Sequence, residues 1–485
     1  MRTLLLIVIV CMLQCQSTSQ QRFTPYLTDN ETAIVLAKNT APVPIGLYAM
    51  IVPRTLEQDR VKHADLRDRS IYKIVRQPHI AAVALHVWSR HISTPDGWNF
   101  DVVEEAVKEI QEAARLAGRG RMPIFVKWYF ESVPDWKLQK ARKISLNKNA
   151  TLLETAEGLR AIVPQRLTDD SEQQRDANPD KYNRAIPVNT SEAFIKFTKE
   201  GARAIGRWLA QFDPEGSLIP LTSTIAPSLR SNHMRIPNPN TFIPMLEQYG
   251  WTAQRHIEVF KELLDEMLQQ PGFKGRCWVF NMDNQSGARY RGRVFPDTRD
   301  QAGVVDYVRS RLPPEGYCLL VKHESMTVNF QQKVLRKGPG DCTIPVVTQP
   351  TTSGGSYRFQ FLNRHAQAPY HYIAEQSLAH GYENWGSMYY SDEMLKFGQN
   401  RQPGYFPFDS LIANVTKLDL SSSQPKQPQG TLWLEIWTQE ARDPEGECHY
   451  FPFYSDTPAS GYTLHHDLER LRDAILRGIR SLVKP

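Results

Sequence analysis

The sequence predicts an α/β protein, a single (β/α)8 TIM-like barrel with long loops on the C-terminal face of its sheet. Apolar strand-like runs alternate with amphipathic helical segments along the chain, which is the order that builds a parallel sheet. The strand-like runs are apolar almost throughout, as strands covered on both faces are. A doubly wound open sheet is the alternative, but no G-x-G-x-x-G segment follows the first strand.

Eight strands are predicted, the number that closes such a barrel. They are 45–52, 80–89, 123–131, 218–226, 277–283, 317–324, 357–363 and 431–437. The chain exceeds the ~250 residues typical of this fold because polar, irregular insertions follow three of the strands. These insertions span 137–190, 326–356 and 397–430, and each would lie at the carboxyl ends of the strands.

Amphipathic helices are predicted between the strands. They span 101–118, 191–212, 253–270, 298–312 and 465–483. In the first of them, Val103, Val107, Ile110 and Ala114 recur at helical spacing, and Gly118 can end the helix.

The first nineteen residues read as a signal peptide. Arg2 precedes a short apolar run, Leu4 to Leu13, and the small residues Ser17 and Ser19 follow it. We therefore expect a secreted, extracellular protein whose barrel domain spans 40–485. An uncleaved anchor is the alternative, but the apolar run is short, and no other stretch approaches the ~20 apolar residues that span a membrane.

Export makes disulfides and glycans plausible. Cys342 and Cys448 follow the sixth and eighth strands on one face, so we predict a disulfide between them, whereas Cys277 and Cys318 are either bonded or buried thiols. We predict N-glycans on four N-x-S/T sequons and expect a fifth, Asn284, to be too buried for modification. The four are Asn30, Asn149, Asn189 and Asn414.

Charge and composition exclude several function classes. A net charge of +6 over 485 residues, with acids and bases interspersed, gives no basis for nucleic-acid binding. The sequence has no C-x-x-C pair or Cys/His cluster, so no metal is expected, and the predicted chemistry requires no cofactor.

Acids lie at the carboxyl ends of several predicted strands, where the site of such a barrel forms. They are Glu131, Asp283, Glu324 and Glu435. An ion pair with Lys127, Lys322 or Arg364 is the structural alternative for each acid. Paired carboxylates with aromatic neighbours suit glycoside hydrolysis. We take Glu435 and Glu324 as the first catalytic pair, with Glu131 and Asp283 in reserve.

Aromatic and histidine side chains near the same strand ends are candidates for holding sugar, although core packing is the common role of tryptophan. The candidates are His86, Trp88, Trp98, Tyr129, Trp136, His233, His365 and Trp437.

Two segments, 97-GWNFD-101 and 134-PDW-136, resemble the second and third units of barrel glycoside hydrolases. The run 431-TLWLEIW-437 is similar to a final strand of that kind. The resemblance implies a secreted glycoside hydrolase-like protein whose partner is an oligo- or polysaccharide.

The chain departs from the large retaining clan of these enzymes, which carries glutamates at the ends of strands four and seven. The corresponding segments here, 222–237 and 359–369, contain no carboxylate. The alternative is therefore a catalytically inactive secreted protein that binds glycans or joins an extracellular matrix. A barrel hydrolase acting on other bonds has no supporting motif, since G-x-S-x-G is absent.

Overall fold

A computed structural model of the chain describes most of residues 33–323 and five later strands. The described ranges are 33–34, 39–44, 46–76, 80–130, 133–147, 150–164, 185–225, 239–282, 289–290, 293–295, 298–313, 315–323, 344–348, 385–390, 431–437, 441–442 and 448–449.

Within these ranges, nine strands pair side by side as a closed barrel. In chain order they are β1 Gly46–Ile51, β2 Ile80–Trp88, β3 Ile124–Tyr129, β4 Leu221–Ser223, β5 Arg276–Met282, β6 Tyr317–His323, β7 Ile344–Thr348, β8 Trp385–Tyr390 and β9 Thr431–Trp437. Each strand runs parallel to the next, and β9 pairs back onto β1.

The predicted α/β class and parallel sheet are confirmed, but the eightfold repeat is not. β7 and β8 occupy the ring where a single seventh strand was expected, and the predicted strand 357–363 lies outside the described residues. The sequence pattern did not predict β7 or β8, for a physical reason. The segment 344-IPVVT-348 is short and holds a proline, and 385-WGSMYY-390 mixes glycine and serine with its apolar residues.

The helices lie between the strands in sequence. They are α1 Pro53–Lys62, α2 Ser70–Val75, α3 Ser89–Ile92, α4 Asp101–Leu116, α5 Asp135–Leu138, α6 Glu192–Phe212, α7 Pro239–Glu247, α8 Ala253–Leu268 and α9 Thr298–Arg311, with 3-10 turns at Leu66–Asp68 and Pro271–Phe273. The helices predicted at 101–118, 191–212, 253–270 and 298–312 are confirmed as α4, α6, α8 and α9, whereas 465–483 lies outside the description.

The ends of these helices follow from local chemistry. Asp101 and Glu104 place negative charge in the first turn of α4, which opposes the helix dipole. Gly118 leaves that helix at a φ of +69°, a conformation that glycine adopts without strain. The Thr252 hydroxyl accepts a hydrogen bond from the Arg255 N–H and so caps α8.

An outer aromatic layer joins the barrel wall to α4 and α6. We use that name for two groups of rings in mutual contact, Trp98, Phe130 and Phe197 in one, and Phe100, Trp128, Trp208 and Phe212 in the other. The Trp128 indole N–H also donates to the Thr222 hydroxyl at 2.9 Å. A β-carbon on Gly201 of α6 would lie 2.5 Å from the Phe130 ring, so this close helix approach requires glycine.

A buried ion pair lies where β4 and β5 begin. Arg276, at the start of β5, is fully buried and lies 3.2 Å from the Asp213 carboxylate at the end of α6. Its guanidinium also donates to the carbonyls of Ile219 and Gly272. Burial lowers the pKa of Arg276, while Asp213 opposes that shift. The pair therefore ties α6, β4 and β5 together.

Where it is described, the segment 137–190 is not the irregular insertion that the sequence predicted. It forms a four-stranded antiparallel sheet from Ile186–Pro187, Arg160–Pro164, Ala150–Glu154 and Arg142–Asn147, in that spatial order. One face packs on a second apolar cluster that includes Trp251 and Phe295. Two-residue strand pairs also form between Ala33–Ile34 and Val43–Pro44, Ser93–Thr94 and Gly97–Trp98, Arg289–Tyr290 and Arg293–Val294, and Ala441–Arg442 and Cys448–His449.

Candidate functional site at the end of β2 and β3

Two neighbouring strands bring the first candidate residues together. In the pairing of β2 with β3, His86 lies opposite Lys127 and Trp88 lies opposite Tyr129. Because side chains alternate along a strand, these four share one face, and Trp128 belongs to the other face with the outer aromatic layer. The sequence predicted this sharing of faces, and the register confirms it for these strands.

A stacked aromatic pair forms where the two strands end. The rings of Trp88 and Tyr129 lie 5.2 Å apart between centroids, at an interplanar angle of 21°. The Tyr129 hydroxyl lies 3.1 Å from Nδ1 of His86, and which group donates depends on the histidine tautomer. His86 is buried, whereas Tyr129 is partly exposed. We call His86, Trp88 and Tyr129 the mouth cluster.

Basic side chains surround the mouth cluster. The Arg90 guanidinium lies 5.6 Å from the centre of the Trp88 ring, and the His91 ring meets Trp88 edge-on at 5.4 Å. Lys127 is 4 % exposed and its Nζ lies 5.1 Å from the Phe125 ring. Arg90 and His91 were not predicted from the sequence, although both lie just after the end of β2 in the run 88-WSRH-91.

Two loops beside the mouth cluster are tied together by Trp136. Its indole N–H donates to the Ser93 carbonyl at 2.9 Å, joining α5 to the hairpin that follows β2. Lys137 places its Nζ 4.3 Å from the Trp136 ring centre. Trp136 is partly exposed, so its ring remains a candidate surface for a ligand.

Trp98 occupies a different place from the other candidates. Its ring stacks on Phe197 of α6 at 5.1 Å and contacts Phe130 at 5.8 Å. These contacts put Trp98 in the outer aromatic layer, where packing accounts for it.

The register places part of the last strand. Glu435 of β9 pairs with Tyr48 of β1, and Trp437 pairs with Met50. Met50 in turn pairs with Ala84, two residues before His86. β9 thus approaches β2 through one intervening strand, but the roles of Glu435 and Trp437 stay predictions.

Several predicted residues lie outside the described part of the chain. They are Glu131, Asp283, Glu324, His233, His365, Cys342, Asn30, Asn149 and Asn414, together with the predicted signal peptide at 1–19. The segment 359–369, used to argue that strand seven lacks a carboxylate, lies there too. The residues that follow β8 begin 391-SDE-393 and include two acids, so a barrel strand of this region is followed by carboxylates in sequence.

The remaining cysteines and one sequon are placed. Cys277 and Cys318 are buried thiols that lie opposite each other on β5 and β6. Cys448 lies in the two-residue strand Cys448–His449. Asn189 is fully buried and its amide nitrogen lies 2.8 Å from Nδ1 of His256, a position that argues against a glycan on Asn189 in the folded chain.

Within the described residues, no acid with a shifted pKa marks a second functional site. Burial raises the pKa of Glu109, although Arg69 and Arg60 oppose the shift. Glu109 belongs to α4 on the outside of the barrel and lies 3.0 Å from Arg69, which is a structural ion pair. The described part of the chain holds no cluster of three His, Cys, Asp or Glu suited to a metal, and none of its helices is long and apolar enough to cross a membrane.

Comparisons with known proteins do not identify a family. No family model matches the chain, and no curated protein matches it. Among solved structures, TcOYE with pHBA is 12% identical over 67% of this chain and 84% of its own, with a TM-score of 0.36.

Two glycoside hydrolases align at a similar level. A GH26 beta-mannanase from Bacteroides ovatus is 11% identical over 89% of both chains, with a TM-score of 0.35. A GH5_18 protein from Bifidobacterium longum subsp. longum is 9% identical over 90% of this chain and 78% of its own, with a TM-score of 0.33. Likenesses as weak as these carry no argument about activity.

Proposed function

We propose that the protein binds carbohydrate at the carboxyl ends of its barrel strands, as a secreted, glycoside hydrolase-like protein. The observation that carries this proposal is the mouth cluster. It combines a stacked Trp88–Tyr129 pair with the imidazole of His86 at the ends of two adjacent parallel strands, the end at which barrel sites form.

The chemistry of the mouth cluster suits a sugar. The apolar C–H face of a pyranose packs on an aromatic ring, and its hydroxyls need hydrogen-bond partners of either polarity. Trp88 and Tyr129 supply ring surface, while the Tyr129 hydroxyl and the His86 ring supply groups that can donate or accept. Ligand sites of this kind pair apolar walls with a few fixed polar groups.

Hydrolysis would require two carboxylates at this end. A retaining mechanism holds them roughly 5–5.5 Å apart, and an inverting one roughly 6.5–9.5 Å, to leave room for water. Our hypothesis assigns the nucleophile or base and the acid to Glu435 and Glu324, with Glu131 and Asp283 as the second pair.

Binding without hydrolysis is the second candidate function. It is favoured by the buried polar residues that β2 and β3 contribute to the inner face, since His86 and Lys127 are not carboxylates. In that case the barrel would hold glycans in the extracellular space and would turn over none of them.

A paired assay separates these functions. The exported protein, its Glu435→Gln variant and its Trp88→Ala variant would be tested for hydrolysis and for binding across nitrophenyl glycosides and polysaccharides. Glu112→Gln, which alters an exposed carboxylate of α4 paired with Arg115, is the matched control.

Turnover that Glu435→Gln abolishes and Glu112→Gln retains supports the hydrolase. Binding without turnover, weakened by Trp88→Ala, supports the glycan-binding protein. A folded protein that neither binds nor cleaves any member of the panel overturns the proposal. Sequencing of the exported chain's N-terminus tests secretion, with the mature chain expected to begin at Gln20.

A further inference from the structure

A basic edge strand directly follows α5 in the chain, and α5 is hydrogen-bonded to the hairpin after β2. Arg142–Asn147 is the outermost strand of the four-stranded sheet in the described part of the chain. Lys140, Arg142 and Lys143 are all exposed there. We call these three residues the basic edge.

Nearby acids neutralise only part of this charge. Glu154 lies 2.6 Å from Arg142 and 2.7 Å from Arg160, so a single carboxylate faces two guanidinium groups. Hydrogen bonds from Arg142 and Arg160 lower the pKa of Glu154, which keeps that carboxylate ionised. Lys140 and Lys143 add two further positive charges, and the edge therefore carries a net positive charge.

The basic edge follows the mouth cluster in the sequence, with α5 between them. The chain runs from α5, where Trp136 is tied to Ser93 and Lys137 lies over the Trp136 ring, directly into Lys140 and the edge strand. Glu157 is the acid near this step, and hydrogen bonds from Thr155 and its own backbone N–H, with the charge of Lys137, lower its pKa. On the other side, Arg90 lies against Trp88. The hairpin after β2 is thus connected to the edge strand through the hydrogen bond of Trp136 and the short stretch of chain that follows it.

We propose that the ligand is an acidic polysaccharide, one that carries carboxylate or sulfate groups and extends from the mouth cluster onto the basic edge. This inference rests on the proposed function, because the mouth cluster holds the sugar ring while the basic edge holds the anionic groups. A polysaccharide fits better than an acidic peptide because the mouth cluster and the partly exposed Trp136 offer ring surface to stack on.

A competing account treats these charges as protection of an exposed edge. Charged residues, lysine above all, commonly keep edge strands from pairing with other chains. That account predicts that the basic edge contributes nothing to glycan binding, and it is the outcome against which the experiment is set.

The test compares two triple variants of the full chain by titration with heparin and with neutral mannan. One replaces Lys140, Arg142 and Lys143 with Gln, and the other replaces Arg67, Lys108 and Arg115, which are exposed near α1 and on α4. Both remove the same charge. Measurements at about 50 mM and about 200 mM salt show how much of the heparin affinity is electrostatic, because the higher salt concentration markedly shortens the screening length.

We expect the basic-edge variant to weaken heparin binding about tenfold and to reduce its salt dependence, because exposed ion pairs each contribute modestly. The control triple should leave heparin binding unchanged, and Trp88→Ala should weaken it. Thermal unfolding checks that each variant folds.

The inference is overturned if heparin affinity falls equally in both triple variants or falls in neither. It is also overturned if Trp88→Ala leaves heparin affinity unchanged. Tighter binding of poly-glutamate than of heparin would overturn it in favour of an acidic protein partner. Mannan binding that depends on Trp88, with no heparin binding, would reject the acidic ligand and leave the proposed function standing. Failure of both glycans would reject the proposed function itself.

Discussion

β3 separates two aromatic regions that differ in what surrounds them. On its outer face, Trp128 is 2 % exposed, donates to Thr222 and packs against Trp208. On its inner face, Tyr129 is partly exposed, stacks on Trp88 and lies beside the imidazole of His86. Aromatic content alone therefore does not identify a site. The mouth cluster is distinguished from the outer aromatic layer by its place at the carboxyl ends of β2 and β3 and by the imidazole of His86 beside its stacked rings.

The largest expected effect is on the stability of the outer layer. Trp128→Ala should lower the free energy of unfolding by about 3–5 kcal/mol, because it opens a cavity and leaves a buried hydroxyl without its donor. Urea unfolding measures this loss, and Trp128→Phe serves as the milder variant if the alanine protein does not fold. A loss no larger than that of Trp88→Ala would remove the contrast between the two faces.

Trp88→Ala should affect binding more than folding. We expect the free energy of unfolding to fall by about 2 kcal/mol, since the ring borders the mouth on one side. Glycan affinity should fall about tenfold or more, as expected for a central aromatic contact. Titration calorimetry of a folded variant measures this, and unchanged affinity would place the glycan elsewhere.

A smaller change separates ring stacking from hydrogen bonding. Tyr129→Phe keeps the ring stacked on Trp88 and removes the hydroxyl that contacts His86. We expect glycan affinity to fall about fivefold, the size of one ordinary hydrogen bond, with little change in stability. Tyr72→Phe on α2 is the matched control. An equal loss of glycan affinity in that variant would mean that the Tyr129 hydroxyl has no specific role in binding.

The smallest effect concerns the polar outside of the barrel, where Glu262 of α8 pairs with Lys199 and Arg255. Burial raises the pKa of Glu262, but the hydrogen bonds and charges of Lys199 and Arg255 outweigh it and leave the pKa below its ordinary 4.5. Ionised Glu262 therefore contributes to the free energy of unfolding above pH 4.5, the ordinary pKa of the group. This contribution is lost as the pH falls through the lowered pKa of the folded state.

Urea unfolding at neutral and acidic pH checks this sign. Glu262→Gln should be less stable than the parent at neutral pH and converge with it in acid. The exposed pair of Glu112 with Arg115 should give a smaller difference in the same comparison, because solvent screens it. A Glu262→Gln deficit that grows in acid would contradict the assigned shift.

Sequence pattern predicted much of this arrangement. Alternation along 123-PIFVKWYFE-131 placed Tyr129 and Trp128 on opposite faces, because a strand repeats every two residues. The same rule could not tell that Trp98 packs on Phe197 of α6, since that contact joins residues far apart in sequence. It also missed Arg90 and His91, whose nearness to Trp88 depends on the turn after β2.

The strand count shows the same limit. Uniformly apolar runs such as β2 were predicted, whereas β7 and β8 join the ring through their neighbours' hydrogen bonds. Local composition carries little of that information, because strand preference depends strongly on what lies on either side.

The most direct test of the central claim is calorimetric titration of the exported protein and its Trp88→Ala variant with a panel of neutral and acidic oligosaccharides. The account predicts that the parent binds at least one oligosaccharide and that the variant, still folded, binds it about tenfold more weakly or worse. Binding of equal strength by both proteins, or no binding by the parent to any of them, would contradict it.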